Sequence, residues 1–296
     1  MTTGASAVRG AFVQLSAGPF HYRHWPSTRT AQPPALLLHG GAASTEVWHR
    51  IAPALARTRP VYAMDLRGHG LSPKPPFGTY QLWRAADDVT EFINTLSLHQ
   101  PVIVGHSWGA AVALVQAAAF RTRRPAPVAT ALVLAEPPPT FATPQVTASA
   151  DAAAELAGRP LDELSALCSI IFPGRDRNDL RALCHGLHHT TPTVVRSYTT
   201  DAAEHTDLVP LLSAVRPPLL LMRSDPNVRS VIDTTSWHRI PEHLPETSMR
   251  MHVPGADHDV HRTHPDAFLD SIEEFLTSAP MTSIRERKFH KKETND

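Results

Sequence analysis

One segment carries the clearest structural signal in the chain: Val102-Ile103-Val104-Gly105-His106-Ser107-Trp108-Gly109. Its apolar start is typical of a buried strand, and residues 108–120 form an alanine-rich stretch that is typical of a helix. A sharp turn between strand and helix crowds the backbone, so glycine suits the positions on either side of its central residue. The segment therefore predicts that Ser107 lies at the tip of such a turn, with its hydroxyl projecting into the mouth of a pocket.

Short apolar runs recur outward from this segment, and most are followed by a longer stretch with helical periodicity. This alternation predicts a mostly parallel sheet that is covered by helices on both faces. Strands are predicted at residues 12–15, 21–25, 35–38, 60–64, 102–104, 131–134, 219–222 and 249–253. Residues 80–98 and 265–276 carry the other clear helical patterns of the predicted core.

The strand pattern stops between residues 137 and 216, where helical patterns cover residues 150–156, 161–171, 178–187 and 193–204. We therefore expect a helical lid at residues 137–216, inserted between a first core segment at 1–136 and a second at 217–280. Residues 281–296 are rich in charge and almost free of apolar side chains, which predicts a disordered tail.

Composition narrows the class of protein. The chain has 28 Lys and Arg against 28 Asp and Glu, so it lacks the net positive charge that would attract nucleic acid or an anionic membrane. It has two cysteines, Cys168 and Cys184, which are too few for a disulfide framework. No secretory signal or membrane span is recognisable. These features predict a cytoplasmic protein that acts on a small molecule.

A metal or cofactor is not expected. Several candidate ligands cluster late in the chain, at His258, Asp259, His261 and His264. Their spacing matches no known metal-ligand motif.

A serine hydroxyl is a weak nucleophile unless a base removes its proton, so the chemistry requires a histidine near Ser107. The chain has 18 histidines, and position must select among them. His258 ends the segment Pro254-Gly255-Ala256-Asp257-His258, which directly follows the last predicted strand. A loop at that strand end can reach Ser107, and His258 is therefore the predicted base.

A third residue, a carboxylate, must orient the imidazole and stabilise its charged form. Asp225 follows the predicted strand at residues 219–222 and is the preferred candidate. Glu136 follows the predicted strand at residues 131–134 and is the alternative.

Negative charge that develops on a carbonyl oxygen needs two backbone N–H donors. One is expected from Trp108, the residue after the nucleophile. The other is expected from Gly41 in His39-Gly40-Gly41, which follows the strand at residues 35–38.

Together these motifs resemble the α/β-hydrolase superfamily over residues 8–276. The resemblance is carried by the segments at residues 39–41, 65–72, 105–109 and 254–258. It implies an α/β-hydrolase fold with a mostly parallel eight-stranded sheet, and a structural role for residues 65–72. The order Ser107, Asp225, His258 is the order expected of this superfamily. The segment at residues 223–227 departs from the common family pattern, which keeps Glu136 open.

A serine at position 107 disfavours the dehalogenase and epoxide-hydrolase branches, which use an aspartate nucleophile. The resemblance is to the esterase and lactonase branch. We therefore expect a serine hydrolase that cleaves an ester, lactone or thioester of a small, largely apolar molecule. Two alternatives remain open: a lyase, acyltransferase or cofactor-free oxygenase with the same fold, or a ligand receptor with slow hydrolysis.

Overall fold

The computed structural model describes residues 8–29, 31–123, 125, 129–201, 207–278 and 285–288. Within these residues the strands form one nine-stranded sheet in the order β1-β2-β4-β3-β5-β6-β7-β8-β9. The strands are β1 Arg9–Leu15, β2 Gly18–Trp25, β3 Ala35–Leu38, β4 Val61–Met64, β5 Val102–His106, β6 Ala131–Ala135, β7 Leu219–Arg223, β8 Ser248–His252 and β9 Arg285–Lys288. Strand β2 pairs antiparallel with β1 and β4, and all other pairs are parallel. The predicted mostly parallel sheet is confirmed.

The sheet separates two apolar cores because successive side chains of a strand point to opposite faces. In β3, Leu36 and Leu38 join one core, whereas Leu37 joins the other. Helices cover both faces, as the all-apolar central strands require. Phe92 packs into the first core from a helix and is fully buried, which stabilises the fold by about 1.5–3 kcal/mol.

The helices of the core flank the strands in sequence. They are α1 Ile51–Leu55, α2 Leu82–Thr95, α3 Trp108–Ala117, α8 Thr234–Arg239, α9 Val260–Thr263 and α10 Pro265–Thr277. Short 3₁₀ helices lie at Thr45–Trp48, Val209–Ala214 and Ile240–His243. None of the helices in the described part of the chain combines the length and the apolar character that crossing a bilayer requires.

In the described part of the segment between β6 and β7, which was predicted as a lid, the α-helices are α4 Pro144–Leu156, α5 Leu161–Ile171, α6 Arg177–His188 and α7 Pro192–Thr200. Helix α4 begins six residues before the helical pattern predicted from residue 150. The side chain of Thr143 caps it by accepting from Val146 N–H, and Pro144 occupies the first turn, where its missing N–H costs nothing. The predicted helix at 193–204 runs into residues 202–206, which lie outside the described residues.

The prediction of a disordered tail is wrong for Arg285–Lys288, which forms the ninth strand, parallel to β8. The composition of this segment argued against burial. A strand at the edge of a sheet needs only backbone hydrogen bonds with its neighbour, and those do not depend on apolar side chains. The other residues of the predicted tail, 281–284 and 289–296, lie outside the described residues.

Candidate active site

Ser107 connects β5 to α3 with an unusual backbone conformation. Its φ and ψ are 50° and −116°, a region that costs a non-glycine residue roughly 1–3 kcal/mol. Its N–H donates to the carbonyl oxygen of Ala135, 2.9 Å away, at the end of the neighbouring strand β6. The predicted sharp turn is therefore present, and it fixes Ser107 at the carboxyl edge of the sheet.

The glycines around Ser107 are required by close backbone approach. A Cβ atom on Gly105 would lie 2.6 Å from Cα of Ala110, and one on Gly109 would lie 2.3 Å from the carbonyl oxygen of Leu38. Both obstacles are backbone atoms, which cannot rotate away as a side chain can. Any side chain at either position would therefore displace α3 from the sheet.

His258 contacts a buried carboxylate behind the turn. Its Nδ1 lies 3.1 Å from Oε2 of Glu136, the residue that follows β6. Glu136 is fully buried and has a φ of 52°, which turns its side chain away from the direction of the strand. Since a carboxylate accepts, Nδ1–H of His258 is the donor, and the neutral imidazole in this tautomer has its free lone pair on the opposite ring nitrogen.

The carboxylate of Glu136 is saturated with donors. Ser224 N–H and the Ser230 hydroxyl each donate to Oε1 over 2.8 Å, and Val231 N–H donates to Oε2 over 2.9 Å. Burial alone would raise the pKa of Glu136, but the hydrogen bond and charge of His258, with the amides of Ser224 and Val231, lower it overall. Glu136 is therefore held ionised against the imidazole.

The preference for Asp225 as the carboxylate partner is corrected by this geometry. Asp225 is partly exposed, and its side chain accepts from Gly255 N–H over 2.8 Å and from Asn227 N–H over 2.9 Å. These amides lower its pKa and stabilise its own turn. Strand β6 lies between β5 and β7, so the residue that follows β6 is closer to the Ser107 turn than the residue that follows β7. Glu136, the alternative, occupies the position beside His258.

His106 is a second buried histidine at the site, and sequence reasoning did not assign it a role. Its Nε2 lies 2.8 Å from the carbonyl oxygen of His258, and the two ring centroids are 4.8 Å apart. Burial, reinforced by the charge of His258, lowers the pKa of His106 to about 4. His106 is therefore neutral at pH 7, and its Nε2–H can donate to the loop that carries His258. Its place inside the turn motif was the signal that could have identified it.

A tyrosine from the lid contacts the loop predicted to supply an oxyanion donor. The hydroxyl of Tyr198, on α7, accepts from Ala42 N–H over 2.9 Å and is hydrogen-bonded to Nε2 of His69. Ala42 follows Gly41, which lines the cavity together with Ser107.

The amide of Trp108 lies in the first turn of α3, where helical N–H groups have no acceptor within the helix. Both predicted donors are thus close to Ser107, and their role stays a prediction.

Two cavities meet at Ser107 and His258. The first, of about 490 Å³, lies between α4, α5, α6 and the segment after His258, and we call it the outer lobe. The second, of about 430 Å³, extends beneath the aromatic side chains of Trp108, Phe141 and Tyr198, and we call it the aromatic lobe. Both lobes also share Gly41, Ala42, Ser149, Ala153 and Arg229. A substrate held at Ser107 can therefore extend in two directions.

The lid is fastened to the loop of His258 by Arg175, which lies between α5 and α6. Its Nη2 lies 2.5 Å from Oδ2 of Asp257, and its Nη1 lies 3.2 Å from Oδ2 of Asp259. These two acids flank His258 in sequence. Arg175 is only 12% exposed, so these ion pairs are shielded from solvent. One lid side chain thus holds the histidine loop on both sides.

One group of described side chains has the geometry of a cation site: His49, Asp176 and Asp179. Arg50 Nη2 lies 3.1 Å from Oδ1 of Asp176 and 3.5 Å from Oδ2 of Asp179. The guanidinium already supplies the positive charge that these carboxylates require. The group also lines neither lobe at Ser107.

The sequence of this chain is similar to those of known hydrolases. Residues 33–156 match a family model described as alpha/beta hydrolase fold. The chain is 27% identical over 254 residues to 2-(acetamidomethylene)succinate hydrolase of Mesorhizobium japonicum, covering 82% of this chain and 88% of that protein. It is 41% identical over 80 residues to the soluble epoxide hydrolase of a Corynebacterium species, a local match that spans 28% of that protein.

Solved structures with a similar fold cover nearly the whole chain. The crystal structure of E-2-(acetamidomethylene)succinate hydrolase has a TM-score of 0.75 at 22% identity and covers 92% of this chain and all of that one. The enol-lactonase of Burkholderia xenovorans has a TM-score of 0.71 at 18% identity, covering 90% of this chain and all of that one. At these identities the similarity establishes the fold.

Proposed function

We propose that this chain, an enzyme of the α/β-hydrolase superfamily, is a serine hydrolase that cleaves a carboxylic ester, lactone or thioester through an acyl-enzyme on Ser107. One observation carries the proposal. A fully buried, ionised Glu136 is hydrogen-bonded to Nδ1 of His258, and His258 and Ser107 line the same two lobes. A histidine that is oriented by a carboxylate activates a serine hydroxyl when its free nitrogen comes within hydrogen-bond reach of that hydroxyl.

In the proposed mechanism, Oγ of Ser107 attacks the substrate carbonyl carbon while the free nitrogen of His258 takes the hydroxyl proton. Glu136 stabilises the imidazolium that results. The amides of Gly41 and Trp108 donate to the oxyanion of the tetrahedral intermediate. When the intermediate collapses, the bond to the leaving group breaks and His258 returns the proton to that group. Water, deprotonated by His258, then attacks the acyl-enzyme. As this second intermediate collapses, the bond to Ser107 Oγ breaks and His258 returns the proton to Oγ, which releases the acid and regenerates the enzyme.

The relative that matches over most of the chain supports hydrolysis. The protein matched over 82% of this chain is named as a hydrolase, and the structural neighbours include an enol-lactonase and a carboxylesterase of Bacillus subtilis. The local match to an epoxide hydrolase does not carry over its reaction, since the family resemblance implies an aspartate nucleophile for that branch and this chain has Ser107 at the turn.

Hydrolysis of p-nitrophenyl acetate tests the nucleophile. Ser107→Ala removes the attacking oxygen, and we expect kcat to fall by at least about a thousandfold. A fluorophosphonate should phosphonylate Ser107 with loss of HF, so the wild-type protein should gain the mass of the reagent less HF and the variant should gain none.

Ser149→Ala is the matched control, because Ser149 also lines both lobes but has no part in the mechanism. Its kcat should stay within a few-fold of wild type. Undiminished hydrolysis by Ser107→Ala would overturn the proposal.

A further inference from the structure

Arg229 places a positive charge at the junction of the two lobes. It lies on the loop between β7 and α8 and lines both lobes with Ser107 and His258. Its backbone is well held, because its N–H donates to the carbonyl oxygen of Asp225 and its carbonyl accepts from the Ser224 hydroxyl, each over 3.0 Å. The side chain is 51% exposed, so its guanidinium is accessible to a ligand.

The acidic groups near Arg229 already have closer or more deeply buried partners. Arg229 Nη2 lies 3.6 Å from Oδ2 of Asp259. The same oxygen lies 3.2 Å from Arg175 and 3.6 Å from Arg262, which are 12% and 3% exposed. Asp257 is paired with Arg175. Arg262 also lies 3.9 Å from Oδ1 of Asp179. Of the three guanidinium groups beside Asp259, Arg229 is thus the most distant together with Arg262 and by far the most exposed to solvent.

The aromatic lobe contains no group that would neutralise Arg229. Among the described residues that line this lobe, Arg229 is the only side chain with a fixed charge. The neutral polar side chains there include Gln145, Ser149 and Ser230. A lobe that is mostly apolar and has one cation at its entrance suits an acyl chain that ends in, or carries, an anionic group.

We infer that Arg229 binds a carboxylate of the substrate, so the preferred substrate is an anionic ester, lactone or thioester that carries a carboxylate on its acyl chain. This inference rests on the proposed function and adds the class of substrate. Planar guanidinium and carboxylate groups can pair through two parallel hydrogen bonds. Such a pair fixes the orientation of the carbonyl relative to Ser107 as well as adding affinity.

Two phenyl esters of equal chain length test the inference, phenyl hydrogen adipate and phenyl hexanoate. They share a leaving group and differ in the terminal carboxylate. The wild-type enzyme should favour the adipate in kcat/KM, and Arg229→Gln should lower kcat/KM for the adipate by about tenfold to a hundredfold. Hexanoate hydrolysis should change by less than about threefold, and Arg229→Lys should restore part of the adipate activity.

The control variant is Arg159→Gln, which removes a half-exposed lid arginine that lines neither lobe and should leave both esters unaffected. Calorimetric binding of both esters to Ser107→Ala protein reports the preference if turnover is slow. Equal use and equal binding of the two esters, or a parallel loss of both in Arg229→Gln, would overturn the carboxylate inference while leaving Ser107 chemistry intact. Hydrolysis that survives Ser107→Ala would instead overturn the proposed function.

Discussion

Two variants distinguish Glu136 from Asp225 as the carboxylate that acts on His258. Glu136→Gln keeps the shape of the side chain but removes the charge that faces Nδ1 of His258. By analogy with the loss of a triad carboxylate, we expect kcat for p-nitrophenyl acetate to fall about 10⁴-fold. Asp225→Asn should change kcat by less than about threefold, because the carboxylate of Asp225 accepts from Asn227 and Gly255 and not from His258. The reverse ranking of the two variants would refute the assignment.

The sequence predicted that Ser107 and His258 lie at one site, and both line the same two lobes, but it favoured Asp225 over the residue that contacts His258. The reason for this difference is physical. Ser107 is identified by a local turn, whose crowding demands glycine at fixed positions. The acid is identified by which of two strand-end side chains turns towards His258. That depends on the positive φ of Glu136 and on the capture of Asp225 by Gly255 N–H, neither of which has a local sequence signature.

The lid contacts the loop of His258 through two ion pairs, which Arg175 makes with Asp257 and Asp259 on either side of the histidine. Arg175→Met should remove both ion pairs and leave Asp257 partly buried without its cation. We expect the free energy of unfolding to fall by on the order of 2–4 kcal/mol in urea titrations. We also expect kcat to fall more than KM rises, because the loop of His258 loses its fastening to the lid.

Arg159→Met is the comparison for that variant, since Arg159 is a 43% exposed lid residue whose pair with Glu163 is solvent-screened. It should alter neither the unfolding free energy nor kcat appreciably. If Arg175→Met lowers the free energy of unfolding but leaves kcat/KM unchanged, the role of Arg175 is structural only.

At the scale of the whole molecule, the alternation of apolar runs and helical periodicity predicted the parallel sheet because each central strand is buried on both faces and needs apolar residues throughout. The same rule failed at Arg285–Lys288, where an edge strand is held by backbone hydrogen bonds to β8 and its charged residues carry no strand signal. Contacts between distant segments, such as Tyr198 with Ala42, were also inaccessible to sequence patterns.

Buried neutral histidines make the stability of the whole fold depend on pH. Burial lowers the pKa of His69 to about 3 and of His106 to about 4, and it also lowers the pKa of His39 and His261. In the unfolded chain these groups titrate near 6.5, so below that pH the unfolded state binds more protons than the folded state, and stability falls as pH falls. His69 and His106 each contribute about 1.4 kcal/mol per pH unit between pH 6.5 and their folded pKa values.

The free energy of unfolding, measured by urea titration, should therefore be at least about 2 kcal/mol lower at pH 5 than at pH 7.5. The His106→Gln variant should show a smaller difference between the two pH values. An unfolding free energy that is constant between these pH values would contradict the neutral, buried state of these histidines.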